Sequence, residues 1–118
     1  VSATVETTVV ASSVPYKLTR LGVLMSPEPG TEFEVEGVLN PASGKAPDGT
    51  LYLLPRMVAA GNVSRVGLAE IVLTAGVPTG VQRRGVALAP EEGWERGIGN
   101  AGVEDPRTTY FFRIWACM

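Results

Sequence analysis

The chain has 118 residues, with 10 Lys and Arg against 12 Asp and Glu and a formal net charge of −2. That length holds one domain, the 45% hydrophobic content is that of a globular protein, and the charge balance excludes an electrostatic nucleic-acid binder. The absence of His removes the commonest general base and zinc ligand, and a single Cys, Cys117, forbids an internal disulfide or a Cys-based metal cage.

No apolar run approaches the about 18 residues that a membrane-spanning helix needs. The first residues, VSATVETTVVASSVPYK, lack the basic-then-apolar order of a signal peptide, so the default expectation is a cytoplasmic protein. Residues 1–20 read as a lead-in segment and 21–118 as the domain proper. Next, LTRLGVLMSPEPG carries a short apolar stretch into a Pro-Gly turn. TEFEVEGVLNP alternates, predicting a strand with Phe33, Val35 and Val38 on one side and Glu32, Glu34 and Glu36 on the other. SGKAPDGT is a loop by its turn residues, with Asp48-Gly49 as the hairpin signal.

TLYLLPRMVAA predicts a strand buried on both faces, turned by Gly61-Asn62, although Pro55 removes a ladder donor and points to an edge position. SRVGLAEIVLT predicts a further strand, with Ser64 as an ordinary turn-capping residue at its start. Turns between Gly76 and Gly80, a solvated Gln82-Arg83-Arg84 loop, a short GVALAP strand and the loop EEGWERGIGNAG complete the central part. The closing TTYFFRIWACM is strongly β-forming, with no turn or cap behind it. As a last strand it would be an exposed sticky edge, and it reads as a truncated end. Short strands at spacings of roughly ten residues, separated by turn residues, predict an all-β sandwich, barrel or propeller blade.

GIGNAG matches G-x-G-x-x-G at Gly97, Gly99 and Gly102, but Asp105-Pro106 follows where a dinucleotide site needs a helix. The match is accidental. The segment EDPR is different. Pro106 pushes Asp105 toward an extended conformation and gives its carboxylate a defined direction. Glu104 and Asp105, as neighbours in an extended chain, should point to opposite sides. Two readings stay open: an Asp-Pro turn with an Arg107 salt bridge, or a rigidly held carboxyl for acid–base chemistry. Arg56 likewise is either a guanidinium snorkelling to an edge or the floor of a polar pocket.

Taken together, GVLNPASG, DGTLYLLPRMVAAGNVSRVGLAEI and GVEDPR resemble, in this order, the N-terminal part of glycoside hydrolase family 130, the β-mannoside phosphorylases and related β-mannosidases. The resemblance runs from about Leu21 to Tyr110. It implies the first blade and the start of the second blade of a five-bladed β-propeller. It also implies an inverting phosphorylase that cleaves β-linked manno-oligosaccharides with inorganic phosphate to give mannose 1-phosphate, with an inverting β-mannosidase as the alternative. Asp105 matches the family's catalytic acid, and Asn40 and Arg56 match positions lining the mannosyl subsite. Glu104 and Arg107 would shape the acid's surroundings and contribute to substrate binding. Phosphate is a ready nucleophile, so no second carboxylate is needed as base, unlike the usual inverting pair. Neither cofactor nor metal is implied, the phosphate-clamping residues would lie beyond Met118, and a homo-oligomer is compatible with the pattern. A non-catalytic β-module that binds sugar or pairs with another chain is the rival from a different class.

Overall fold

The computed structural model describes residues 15–97, 101–111 and 114–117. The lead-in reading of residues 1–14 and the middle of the GIGNAG match, residues 98–100, lie outside the described residues. Among the described residues there is no α-helix, and no helix is long and apolar enough to cross a membrane.

The protein is built on one four-stranded antiparallel sheet in the order β1-β2-β3-β4, from Gly37–Lys45, Leu51–Ala59, Val63–Thr74 and Val77–Leu88. A two-stranded ribbon follows, pairing β5 (Thr108–Phe111) with β6 (Ile114–Cys117). Consecutive strands are neighbours because each connection is a tight turn. Ala46 to Gly49 closes the first, with Gly49 at φ +92° and the Asp48 carboxylate accepting the Thr50 amide at 2.9 Å. Gly61 and Asn62 close the second with φ of +79° and +56°. The third is a two-residue loop between paired Thr74 and Val77, with Ala75 and Gly76 at φ +51° and +77°. That is the signature of a type I′ turn, whose twist matches the strands it joins.

Four local expectations are corrected. Residues Glu32–Glu34 form a 3₁₀ turn instead of a strand, closed by the Glu34 amide on the Thr31 carbonyl at 3.2 Å. The strand begins only at Gly37 and runs on through Pro41 to Lys45, the stretch expected to be loop. Pro55 sits in β2, between β1 and β3, not at an edge. A register shift in β1 between Leu39 and Ala42 lies opposite it, and such a bulge interrupts the ladder where a proline has no N–H to give. Finally, Gly80 and the Gln82-Arg83-Arg84 run are not loop: both belong to β4.

The register sets two faces. Leu54, Arg56, Val58, Ser64 and Val66 alternate with Leu53, Pro55, Met57, Arg65 and Gly67. The second face is covered by the chain before β1. Phe33 lies under the Arg65 guanidinium, 4.3 Å from its ring centre. Glu34, expected on the side of the strand away from Phe33, is only 1% exposed. Its carboxylate takes two hydrogen bonds from Arg83, Nε at 2.9 Å and Nη2 at 2.8 Å, and one from the Glu28 amide at 2.9 Å. Arg83 also donates to the Ser26 carbonyl at 2.7 Å. Hydrogen bonding by Arg83 holds the Glu34 carboxyl below the usual carboxylate range against the opposing effect of burial. A buried charge persists only when it is paired and hydrogen-bonded in this way.

Candidate active site

Residues 101–108 form a strap across the sheet. It starts beside β3, beyond the end of β4, where the Ser64 amide donates to the Ala101 carbonyl at 2.9 Å and the Val103 amide to the Ser64 carbonyl at 3.0 Å. Gly102 lies against Ser64 there in a parallel bridge at φ +126°. A Cβ on Gly102 would stand 2.2 Å from the Ser64 carbonyl oxygen, so only glycine lets the two backbones approach so closely. Glu104 and Asp105 then meet Arg56 of β2, Asp105 also meets Asn40 of β1, and the Thr108 hydroxyl donates to the Ser43 carbonyl of β1. Pro106 and Ala101 are buried along the way.

The strap brings the sequence-predicted groups together. Asp105 Oδ1 accepts from Asn40 Nδ2 at 2.9 Å and from Arg56 Nη1 at 3.3 Å. These partners are 65 and 49 residues away in sequence. Arg56 Nη2 donates to Glu104 Oε1 at 2.9 Å and to Asn62 Oδ1 at 3.5 Å, and its Nε donates to Ser64 Oγ at 2.9 Å. The Arg56 side chain is 13% exposed, whereas the Glu104 and Asp105 side chains are 40% and 46% exposed. The cation is thus sunk in the sheet and the two carboxylates form the accessible rim. Arg56 stands on an interior strand, flanked by β1 and β3, and not at the edge of the sheet.

Asp105 and Glu104 do not point to opposite sides, as an extended backbone would require. Asp105 takes a left-handed conformation, φ +44°, which folds its carboxylate back onto the same guanidinium that Glu104 reaches. Asn40 is left-handed too, φ +41°, at the β1 bulge. Asp and Asn are the non-glycine residues that tolerate this region best, and residues held there tend to collect where a site over-determines the backbone. Arg107 forms no ion pair with the Asp105 carboxylate. It donates instead to the main-chain carbonyls of Asp105 at 3.4 Å and Pro106 at 2.9 Å, bracing the strap from behind.

Ser64 is the residue that sequence reasoning undervalued. It is fully buried, holds the strap through its backbone and orients Arg56 through its hydroxyl. Glu36 adds a second support, its two carboxylate oxygens accepting the Gly61 and Asn62 amides at 2.9 and 3.0 Å. The hydrogen bond from Asn40, followed by that from Arg56 and the nearby positive charges of Arg56 and Arg107, holds the Asp105 carboxyl below the usual range against a desolvation effect of opposite sign. The carboxylate is therefore ionised at neutral pH in this state, with Oδ1 accepting from two donors. Chemically, the cluster offers amide and guanidinium donors and carboxylate acceptors within a few ångströms, a set suited to polyhydroxylated ligands. Among the described residues no group of three or more His, Cys, Asp or Glu side chains is placed to hold a metal ion. No family model, curated protein or solved structure matches the chain.

Proposed function

We propose that this chain carries the acid-bearing part of an inverting β-mannoside phosphorylase acting on β-linked manno-oligosaccharides. The supporting observation is the convergence of Asn40, Arg56 and Asp105 on one point, Asp105 Oδ1, from three separate segments. In this reading the four-stranded meander is the first propeller blade and β5 with β6 begins the second, four antiparallel strands being the usual content of a blade. In this reading phosphate is clamped by basic residues outside the Asn40, Arg56 and Asp105 cluster.

The depressed Asp105 carboxyl has to be reconciled with a role as proton donor. A mannosyl ring entering between Asn40 and Arg56 offers hydroxyl acceptors to both, and each donor drawn onto sugar is one withdrawn from Asp105. Losing those two interactions and gaining a ring that excludes water both raise the carboxyl pKa, so the bound substrate itself turns Asp105 into an acid. The proton passes through a mannosyl hydroxyl to the departing glycosidic oxygen as the C1–O bond breaks. A phosphate oxygen forms the new bond to C1 from the opposite face, and the proton lost from the attacking hydrogenphosphate restores Asp105.

The test is phosphorus NMR of the protein that carries this chain, incubated with β-mannobiose and inorganic phosphate. Mannose 1-phosphate should accumulate. Asp105→Asn should abolish it while leaving sugar binding nearly intact, because the amide keeps the shape but donates no carboxyl proton. Near-normal turnover in that variant refutes the acid role. Release of free mannose, independent of phosphate, refutes phosphorolysis in favour of the related mannosidase.

A second reading is favoured by the ionised state of Asp105 in the sugar-free cluster. A carboxylate whose pKa stays depressed when sugar binds is a good hydroxyl acceptor and a poor acid, which suits a module that binds sugar without cleaving it. Binding of manno-oligosaccharide with neither product formed would select this reading.

A further inference from the structure

Between β4 and the strap the chain displays a lone indole. Trp94 is 81% exposed, an unusual placement for a side chain that normally contributes large buried area. The turn beneath it is tightly built. Glu95 Oε2 accepts the Glu91 and Glu92 amides at 2.8 and 3.0 Å, the Glu95 amide donates to the Glu92 carbonyl at 3.0 Å, and Arg96 Nε donates to the Pro90 carbonyl at 3.1 Å. The ring is therefore presented by a braced turn and not by a slack loop. That turn is also joined to the strap, since the Gly102 amide donates to the Glu95 carbonyl at 2.9 Å. From Gly102 to Asp105 the chain spans at most about 10 Å.

The surroundings of the indole select its ligand. Its sequence neighbours are Glu91, Glu92, Gly93, Glu95, Arg96 and Gly97, all polar or glycine, so the turn itself sets no apolar side chain beside the indole of the kind that builds a protein-docking patch. Three carboxylates against one guanidinium give the turn a net negative charge, which disfavours phosphate and other anions. A flat apolar surface carried on a polar turn fits a neutral pyranose, which has a C–H face and a hydroxyl rim.

We infer that Trp94 is a stacking platform for a pyranose ring of the oligosaccharide, beyond the ring held by Asn40 and Arg56. This rests on the sugar-processing reading above and adds to it a subsite that sets chain-length preference. Stacking on an aromatic face contributes up to roughly 1.4 kcal/mol, about a tenfold change in affinity.

The experiment titrates the protein that carries this chain with a ladder of β-manno-oligosaccharides from the disaccharide upward, following calorimetric affinity and indole fluorescence. Longer oligosaccharides should bind Trp94→Ala about tenfold more weakly than the parent and bind Trp94→Tyr almost normally, with the disaccharide scarcely affected. The fluorescence change on binding should vanish in Trp94→Ala, although Trp115 remains. Equal affinity of parent and Trp94→Ala across the ladder overturns the subsite while leaving the functional reading in place. Failure of the parent to bind any member of the ladder overturns both. Loss of self-association in Trp94→Ala without loss of sugar affinity would identify the indole as a protein contact and likewise overturn the inference.

Discussion

Replacing Gly102 by Ala probes the joint between strap and sheet directly. The new Cβ would sit 2.2 Å from the Ser64 carbonyl oxygen, 2.5 Å from its nitrogen and 2.8 Å from its carbonyl carbon. All three are backbone atoms of a buried strand residue paired to Val58 on its other side, so Ser64 cannot withdraw and the strap must lift. Lifting breaks two backbone hydrogen bonds, those linking Ser64 to Ala101 and Val103, at about 1 kcal/mol net each. It also uncovers Ala101 and Pro106, on the order of 1 kcal/mol more. Holding alanine at φ +126° instead would cost a comparable 1–3 kcal/mol or so in backbone strain. The expected loss is therefore about 3 kcal/mol, read as a lower urea midpoint with an m-value near that of the parent. Amide exchange at Val103 should accelerate, and the Asp105 carboxyl, freed from Asn40 and Arg56, should titrate closer to an ordinary aspartate by carbon NMR. A change below about 0.5 kcal/mol with Val103 still protected would refute the close-packed joint, since surface substitutions alone reach that size.

Removing the amide donor at position 40 should show in the acid limb. Asp105 has a depressed folded pKa, so its contribution to stability is present above its unfolded pKa of about 3.9 and disappears as pH falls through the folded value; Asn40→Gly, which keeps the positive φ, should shrink that loss in acid urea titrations. Arg83→Ala should cost about 3 kcal/mol by leaving the Glu34 carboxylate buried and unpaired. The pH response should also reverse. The parent loses the Glu34 contribution below about pH 4.3, whereas the variant, with its carboxyl pushed up by burial, should gain stability as pH falls from 7 toward 5. A variant whose stability is flat over that interval would show that Glu34 escapes to water. At the β3–β4 turn, Ala75→Asn should raise stability by up to about 1 kcal/mol, because asparagine tolerates φ +51° better than alanine; an unchanged melting temperature would speak against the type I′ geometry.

The sheet was largely legible because turn chemistry is local. Asp48-Gly49 and Gly61-Asn62 announce their hairpins by residue type alone. The third hairpin was misplaced because its left-handed positions are Ala75-Gly76, and alanine gives no such signal, so Gly76 to Gly80 looked like the turn. The alternation of Phe33, Val35 and their glutamates suggested a strand, but Glu34 is drawn inward by an arginine 49 residues later, and no local pattern encodes that partner. Pro55 misled for a related reason. Its place in the second strand depends on a bulge in the first, a property of two segments together. At the site, Asn40, Arg56 and Asp105 were found through motif resemblance, and their meeting is a finding of the fold. Ser64 escaped notice because its contribution comes mainly from its backbone, which no side-chain pattern reveals.

The Glu34–Arg83 pair also bears on the order in which the molecule assembles. The apron formed by residues 26–34 precedes every strand among the described residues, yet its buried charge finds its counterion only on β4. Hairpins can zip up in succession over short separations, whereas the apron must wait for the last of them before it can leave water. Late closure of such a distant contact slows folding, and until it occurs one side of the young sheet, with Met57 and Ala69, stands uncovered. A chaperone or a nascent neighbour would meet that side first.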